Sequence, residues 1–482
     1  MLKKNLFFNI LLSISQFIFP LISFPYASRI LGRSGIGTVN FIDSFTQYFI
    51  LFAALGIPLY GVREIAKIKE DTHKLNNTFN QIFGIHIVSA IIFSCIYLVL
   101  ALLLPQLKNE MSLVLVGITI IIFNVVSLEW FFQGINEFSF IAIRSIIVKG
   151  ASVILLFVFL KPHSPPFIYY LITASVFVIN GIVNLYYLTK KVKIKIVNLE
   201  LKKHIKPLVV ILSSTLAISV YVLLDNILLG VFKGNSTVGI YSTSVRIVKI
   251  PMVLISAMST VIIPQISRAY NENRISDLNL LAHKSFSFIC LIGIPICFGL
   301  YVTSDFLIYV FAGSEFTEAI GVLKLLSPLV FLIGLSNLFG LQLLTPTGNE
   351  KYLLRAVCIG MVFSLALNLL LIPKFSYVGS AIANIITECV VTGLAYYYSR
   401  QFFTISIDYK IVFQAVVVAA LFIPIDFFVR LFHISYILQE IIIIATCSTI
   451  YLAVFLFILK NNYLNDLMAA CINIFRKQVS KT

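Results

Sequence analysis

Charge is scarce in this chain: Asp, Glu, Lys and Arg make up 12% of its 482 residues, against about 25% in ordinary soluble domains. No stretch between its apolar runs is long enough to bury a core of its own, which excludes an appended water-soluble domain. The six histidines (His73, His86, His163, His204, His283, His433) are scattered, without HExxH or paired metal spacing, and neither a P-loop nor GxGxxG occurs. Those absences argue against metal-assisted hydrolysis and against nucleotide hydrolysis. The seven cysteines (Cys95, Cys290, Cys297, Cys358, Cys389, Cys447, Cys471) mostly lie inside apolar runs with no CxxC spacing. Neither a disulfide framework nor a metal site is expected, and Cys290 and Cys297 read as small buried side chains. Long loops on the outer side are also missing, which disfavours a membrane-embedded polysaccharide polymerase or glycosyltransferase with its sugar chemistry on an outer loop.

What the chain does contain is hydrocarbon. It is 59% hydrophobic, with a mean hydropathy of +0.99, and apolar runs of spanning length recur throughout. They fall at 5–27, 39–61, 79–104, 111–133, 139–160 and 167–189, then at 207–232, 241–264, 285–311, 321–345, 353–373, 376–399, 411–431 and 434–459. The fold class is therefore all-α: a polytopic membrane protein of about 14 transmembrane helices. The first run lacks a small-residue cleavage site and continues past Pro20, so it reads as a retained span.

Between the sixth and seventh runs lies Lys190–Lys206, with seven lysines and one glutamate. Such a loop resists translocation and marks the cytoplasmic side. Alternating the fourteen runs about it leaves 24 of the 36 Lys and Arg on that side. Seven lie opposite (Arg29, Arg33, Lys108, Lys161, Lys233, Lys374, Arg430), and five fall in or beside spans (Arg144, Lys149, Arg246, Lys249, Lys324). A wrong count would scramble that bias, so both termini are expected in the cytoplasm. The net charge of +16 is then a topology signal and not a nucleic-acid signal. The same loop divides the chain into an N-lobe (1–189), a basic linker (190–206), a C-lobe (207–399) and a final pair of helices with a basic tail (400–482). An internal echo supports two related six-helix units. Ile30-Leu31-Gly32 with Gly37 resembles Leu228-Leu229-Gly230 with Gly239, across a longer second turn.

Polar side chains at membrane depth are costly and tend to face a bundle interior or a water-filled cavity. In the eighth span Ser242, Arg246, Lys249, Ser256 and Thr260 step along one helical stripe. The second span carries Asn40, Asp43, Ser44 and Gln47; the fifth carries Ser145, Lys149 and Ser152; the twelfth carries Ser380, Asn384 and Glu388. Asp225 lies in the seventh, four residues after Tyr221. Each has a plainer reading. Asp43 pairs with Arg29 or Arg33 near the outer surface, Glu129 is solvated at an inner end, and Arg144 either snorkels to the interface or lines a cavity. Arg246 and Lys249 resist such a reading, because two cations one turn apart repel. A cavity richer in cations than carboxylates suits an anionic cargo, phosphate in particular. Pro20, Pro25, Pro251 and Pro264 supply bends of the kind alternating access uses, though proline kinks are also ordinary packing devices in membrane helices.

The sequence also resembles a known family. FPYASRILGRSGIGTVNF (24–41) with LGIPLYGVREIAK (55–67), EWFFQGINEFSFIAIRSII (129–147), LAISVYVLLDNILLGVFKGNSTVGIYSTSVRI (216–247), VIIPQIS (261–267), LLTPTGNEKY (343–352) and LNLLLIPKFSYVGSAIANIITE (367–388) are similar to successive segments of the Wzx-type polysaccharide repeat-unit flippases. These are the O-antigen and capsule transporters of the multidrug/oligosaccharidyl-lipid/polysaccharide exporter superfamily. The resemblance implies a MATE-like fold with two pseudo-symmetric six-helix lobes plus two C-terminal helices, and a bacterial inner-membrane protein without enzymatic activity. Its expected cargo is an undecaprenyl-diphosphate-linked oligosaccharide, flipped by alternating access at the expense of an H+ or Na+ gradient, with no other cofactor. Membrane lipids, a polysaccharide polymerase and a chain-length regulator are the expected partners. Arg29, Arg63, Lys149, Arg246 and Lys249 are the candidates for binding diphosphate or sugar. Asp225, Glu388 and Asp43 are the candidates for ion coupling. Ile36-Gly37 and Phe41-Ile42 depart from the aromatic or small residues of related members, so sugar selectivity does not carry over. A lipid II flippase shares the diphosphate carrier and stays open as an alternative, whereas the interior cations argue against a cationic-drug/ion antiporter.

Overall fold

The computed structural model describes residues 2–195, 200–404 and 407–460. Part of the basic linker (196–199) and the basic tail with Cys471, Arg476, Lys477 and Lys481 lie outside the described residues. Among those described there is helix and no strand, as hydrocarbon demands of a backbone that must satisfy its own hydrogen bonds. Among the described residues, eleven helical stretches are long and apolar enough to cross a membrane. Two of them, Ile18–Ile68 and Glu350–Ser399, run to 51 and 50 residues. Fifty residues of helix span about 75 Å, more than twice a hydrocarbon core of about 30 Å, so each must fold back. Counting both as two crossings and adding Leu201–Lys233 gives fourteen, in line with the apolar runs.

The fold-backs occur at single residues. The Leu2–Ala54 helix runs through Pro20 and Pro25 and breaks instead at Gly32 (φ 62°, ψ −178°), a conformation essentially reserved for glycine. The Glu350–Ser399 helix breaks at Ser376 (φ 53°, ψ −134°). A serine pays strain there that a glycine would not.

Three predicted spans end differently from their apolar runs. The second, 39–61, stops at Ala54. Leu55 (φ 49°) and Gly56 (φ 79°) turn the chain into a separate amphipathic helix, Ile57–Ile68, which buries Ile57, Tyr60, Gly61 and Ile65. The fourth, 111–133, breaks after Val125 and resumes as the short helix Glu129–Gly134. The eighth, 241–264, is two helices, Asn235–Lys249 and Met252–Asn271. Pro251 lacks a donor and disfavours helix at Ile250, so it interrupts the polar stripe drawn from Ser242 to Thr260.

The chain divides into two compact units. The first runs to Ser242 and includes Phe311–Phe316 and Ser364–Ser380. Within it, the internal echo takes physical form, in a register other than the one read from sequence. Gly234 (φ 85°, ψ 171°) matches the backbone of Gly32, so Gly32 pairs with Gly234 and not with Gly230. The two turns are then equal in length, five residues from Gly32 to Gly37 and five from Gly234 to Gly239. The paired segments pack on each other. A Cβ on Gly37 would overlap the carbonyl of Asn235, and one on Gly239 the carbonyl of Arg33. Asn235 Nδ2 donates to Thr38 Oγ1 (2.8 Å), and Asn40 Nδ2 donates to Ser242 Oγ (2.7 Å). Gly230 instead accommodates the ring of Phe41.

The second unit comprises Thr243–Val310, Thr317–Phe363 and the chain from Ala381. Its core gathers Ile266, Leu278, Ile289, Cys290, Leu338 and Leu343 with Ala415, Ile443 and Phe455 from the last two spans. Cys290 and Cys297 are buried free thiols, as expected from their apolar setting. Asn337–Leu344 is a π-helical stretch, and its wider turn sets buried Gln342 between Ser285 (2.5 Å) and Ser259 (2.8 Å).

Candidate functional site

Asp225, in the first unit, is a carboxylate buried to 2% exposure. Burying an anion is expensive unless donors surround it; two helical segments supply them directly, and a third steadies one of the donors. Tyr241, on the Asn235–Lys249 helix, donates its hydroxyl to Oδ2. Asn368, on the arm before the Ser376 break, donates to Oδ1 at 2.8 Å and to the Ser364 carbonyl at 2.9 Å. Ser380, on the arm after the break, donates to Asn368 Oδ1 at 2.9 Å. The strained turn at Ser376 thus folds Asn368 and Ser380 onto each other, and through Asn368 both arms reach Asp225. The result is a knot of oxygen atoms from Asp225, Tyr241, Ser364, Asn368 and Ser380 around one formal negative charge.

A second polar group adjoins it. Asn226, next to Asp225, donates to Ser44 Oγ at 3.0 Å, and Ser44 follows Asp43. Asp43 Oδ1 receives Tyr170 at 3.4 Å and Gln47 at 3.5 Å. Tyr170 also reaches Thr46 (3.2 Å), whose hydroxyl pairs with Tyr97 at 3.0 Å. Gly117 makes room for that pair, since a Cβ there would overlap both Tyr97 Oη and Thr46 Oγ1. The chain from Asp43 to Tyr97 therefore joins three helices, Leu2–Ala54, Pro166–Leu188 and Thr72–Leu103.

The predicted cations are dispersed. Arg29 is exposed beside the Gly32 break and donates Nη1 to the Pro25 carbonyl at 3.1 Å. Arg63 is 57% exposed on the amphipathic helix, 3.2 Å from Glu64 and over the Tyr60 ring. It sits on the exposed face of a short amphipathic helix and not within a long apolar one. Lys149 is half-buried on the Phe138–Phe159 helix. In the second unit, Arg246 is half-buried and Lys249 exposed in the last turn before Pro251. Glu388 is buried there, with Ser336 as its hydrogen-bonding neighbour. The structure therefore places Asp43 and Asp225 on adjoining helices of one unit, and Arg246, Lys249 and Glu388 in the other.

Arg144, left between two readings, does neither thing proposed for it. It is 5% exposed, donates Nη1 to Asn184 and Nη2 to Glu129 Oε1 at 2.9 Å, and packs over Phe140. Asn184 in turn donates to the Ser127 carbonyl. This guanidinium pins the break between Val125 and Glu129. Glu129 is 45% exposed, so water screens that ion pair, and the loss of Arg144 is instead that of its charge-assisted hydrogen bonds, about 1.5–3 kcal/mol each. Arg144→Ala is accordingly expected to reduce the amount of folded protein recovered from membranes severalfold, while export per recovered molecule stays within twofold of wild type. Quantitative blotting against export checks both.

Sequence reading missed Asn368, Tyr241, Tyr170, Tyr97 and Thr46. Asn368 had a usable signal, a lone amide inside LALNLLLIP. The tyrosines had none, because an aromatic ring in a span reads as apolar until its hydroxyl finds a partner.

Comparison with known proteins places this geometry among membrane transporters. A profile for the family described as "Polysaccharide biosynthesis protein" matches residues 2–270, and one described as "MatE" matches 211–370. The "Putative O-antigen transporter" of Escherichia coli (strain K12) is 28% identical over 403 residues, covering 83% of this chain and 97% of that protein. Its counterpart in Shigella dysenteriae is 24% identical over 405 residues, covering 81% and 98%. Among solved structures, "Lipid II flippase MurJ, inward closed conformation" superposes with a TM-score of 0.71 at 16% identity, over 94% of this chain and all of that one. An inward-facing multidrug transporter of the MATE family gives 0.63 at 16% identity, over 80% and 94%. At such identities the structural likeness speaks for the fold alone.

Proposed function

Because the chain belongs to the polysaccharide biosynthesis protein family, as a flippase of the multidrug/oligosaccharidyl-lipid/polysaccharide superfamily, we propose that it flips undecaprenyl-diphosphate-linked oligosaccharide repeat units across the bacterial inner membrane by alternating access. It is a multi-pass membrane transporter and not an enzyme. The observation that carries the reading is similarity over more than four-fifths of the chain to two proteins named as O-antigen transporters, joined to a buried, oxygen-rich carboxylate site in a chain dominated by cations.

In this reading Asp225 is the coupling carboxylate. A buried carboxylate with the oxygens of Tyr241, Ser364, Asn368 and Ser380 gathered about it is suited to a proton or a sodium ion, which favours hard oxygen donors. Asp43 and Glu388 are further coupling candidates. Arg246 and Lys249 contact the diphosphate, where a guanidinium offers a planar fork to phosphate oxygens. Lys149 and Arg29 line the route, and Arg63 receives the headgroup on the cytoplasmic side, where both termini lie. A polysaccharide polymerase and a chain-length regulator receive the product. Lipid II remains a second reading, supported by the fold likeness to its flippase.

Deleting the gene and analysing carrier lipids tests this. Undecaprenyl-diphosphate repeat units are expected to accumulate on the cytoplasmic leaflet and to clear on complementation. Charge-assisted hydrogen bonds are worth about 1.5–3 kcal/mol, so Arg246→Ala or Lys249→Ala should cut export about tenfold or more at unchanged membrane abundance. Accumulated lipid II in place of repeat units would select the second reading, and normal export by the double variant would remove both residues from the site.

A further inference from the structure

The basic segment after the Pro166–Leu188 helix is built, not merely charged. Two asparagines four apart on the Thr72–Leu103 helix hold its backbone. Lys193 N–H donates to Asn76 Oδ1 (2.8 Å), Lys195 N–H donates to Asn80 Oδ1 (3.0 Å), and Asn80 Nδ2 donates to the Lys193 carbonyl (3.0 Å). Asn76 Nδ2 is itself fixed to the Thr72 carbonyl at 2.7 Å. Two side chains thus imitate the edge of a sheet, and residues 193 and 195 present their side chains to one face while Ile194 takes the other.

The four lysines are not equivalent. Lys190 sits over the Tyr186 ring at 4.6 Å, and Lys191 bridges to Glu137 at 2.7 Å, a hydrogen bond that raises its pKa. The ammonium groups of Lys193 and Lys195 are exposed and make no hydrogen bond or ion pair among the described residues. Apolar and aromatic surface surrounds them: Ile194 is 50% exposed, and Tyr186, in the last turn of its span, 66%. Depth follows from length. The Thr72–Leu103 helix has 32 residues, about 48 Å, so its polar first turns project from a hydrocarbon core of about 30 Å into the headgroup layer. Aromatic rings and lysines are what that layer accepts.

We propose that Val192–Lys195 is a preformed site for the headgroup of an anionic phospholipid, with the phosphate held between Lys193 and Lys195 and Ile194 laid toward the acyl region. The proposal rests on the chain being embedded in a membrane and is independent of which cargo it flips. Charge complementarity selects the occupant. An unpinned lysine loop would spend binding energy on its own ordering, whereas the asparagine pins present both ammonium groups in place.

Native mass spectrometry of the full-length protein in mixed micelles of phosphatidylglycerol and phosphatidylcholine tests it. A lysine near an anionic surface is worth about fivefold in affinity. Lys193→Gln/Lys195→Gln should therefore lower retention of phosphatidylglycerol over phosphatidylcholine by about twentyfold. Lys67→Gln/Lys69→Gln, an equal loss of charge on the same side, should change it less than twofold. Asn76→Ala/Asn80→Ala, with every lysine kept, should lower it about fivefold. Equal effects of the two lysine pairs, or no preference for phosphatidylglycerol in the wild type, would overturn the site in favour of a diffuse field.

Discussion

Asp225→Asn is expected to reduce polysaccharide export at least about tenfold while the protein still inserts and accumulates. The geometry sets the direction. Tyr241 donates to one carboxylate oxygen and Asn368 to the other. An amide at this position turns its own NH2 toward one of those donors. Leaving a buried donor unmatched costs about 1–3 kcal/mol, enough to disturb the knot without unfolding a bundle of this size. The larger consequence is chemical, because an amide neither takes up a proton nor neutralises a cation. Asn368→Ala should act in the same direction by loosening Asp225 and releasing Ser380, with a smaller effect. Surface polysaccharide per unit of membrane-resident protein is the measurement, and transport by Asp225→Asn vesicles should no longer respond to an imposed ion gradient. Wild-type export by this variant would move coupling to Asp43 or Glu388.

The second large effect concerns packing. Gly37→Ala or Gly239→Ala should remove most folded protein, a loss of more than about 3 kcal/mol. Each methyl would fall on a carbonyl of the facing segment, Asn235 or Arg33, and a backbone held by its own helix cannot step aside as a side chain can. Gly234→Ala is the control. It has the unusual φ but nothing within 4 Å of an added Cβ, so it carries backbone strain alone, about 1–3 kcal/mol. Recovery of monodisperse detergent-solubilised protein and its thermal midpoint separate the two. A Gly37→Ala midpoint equal to that of Gly234→Ala would mean that the segments do not touch in this way.

Much of the architecture was legible because hydrocarbon leaves a backbone few options. Apolar runs located the fourteen crossings. Local breaks were harder. Pro20 and Pro25 stood out as benders, yet the helix passes through both and yields at Gly32, where the strain is conformational and carries no hydrophobic signature. Nothing in the sequence marks Ser376, since serine seldom adopts its conformation. The site was half visible. Asp225 and Asp43 announced themselves as charges in the wrong solvent, but their partners lie as far as 143 residues away in Asn368 and 127 in Tyr170. Periodicity along one helix cannot report contacts across several. Arg144 shows the converse: the choice between its two readings depended on Glu129 and Asn184, which occupy other helices.

The matched kinks at Gly32 and Gly234 carry a further consequence. They fix an alignment of the two segments at a spacing of 202 residues, under which Asp43 corresponds to Val245, Ser44 to Arg246 and Gln47 to Lys249. Two segments that share one backbone form thus carry opposite signs: the first sets a carboxylate where the second has Val245, and the second sets a guanidinium and an ammonium where the first has Ser44 and Gln47. A lone segment obliged to hold both signs would cancel them by internal pairing.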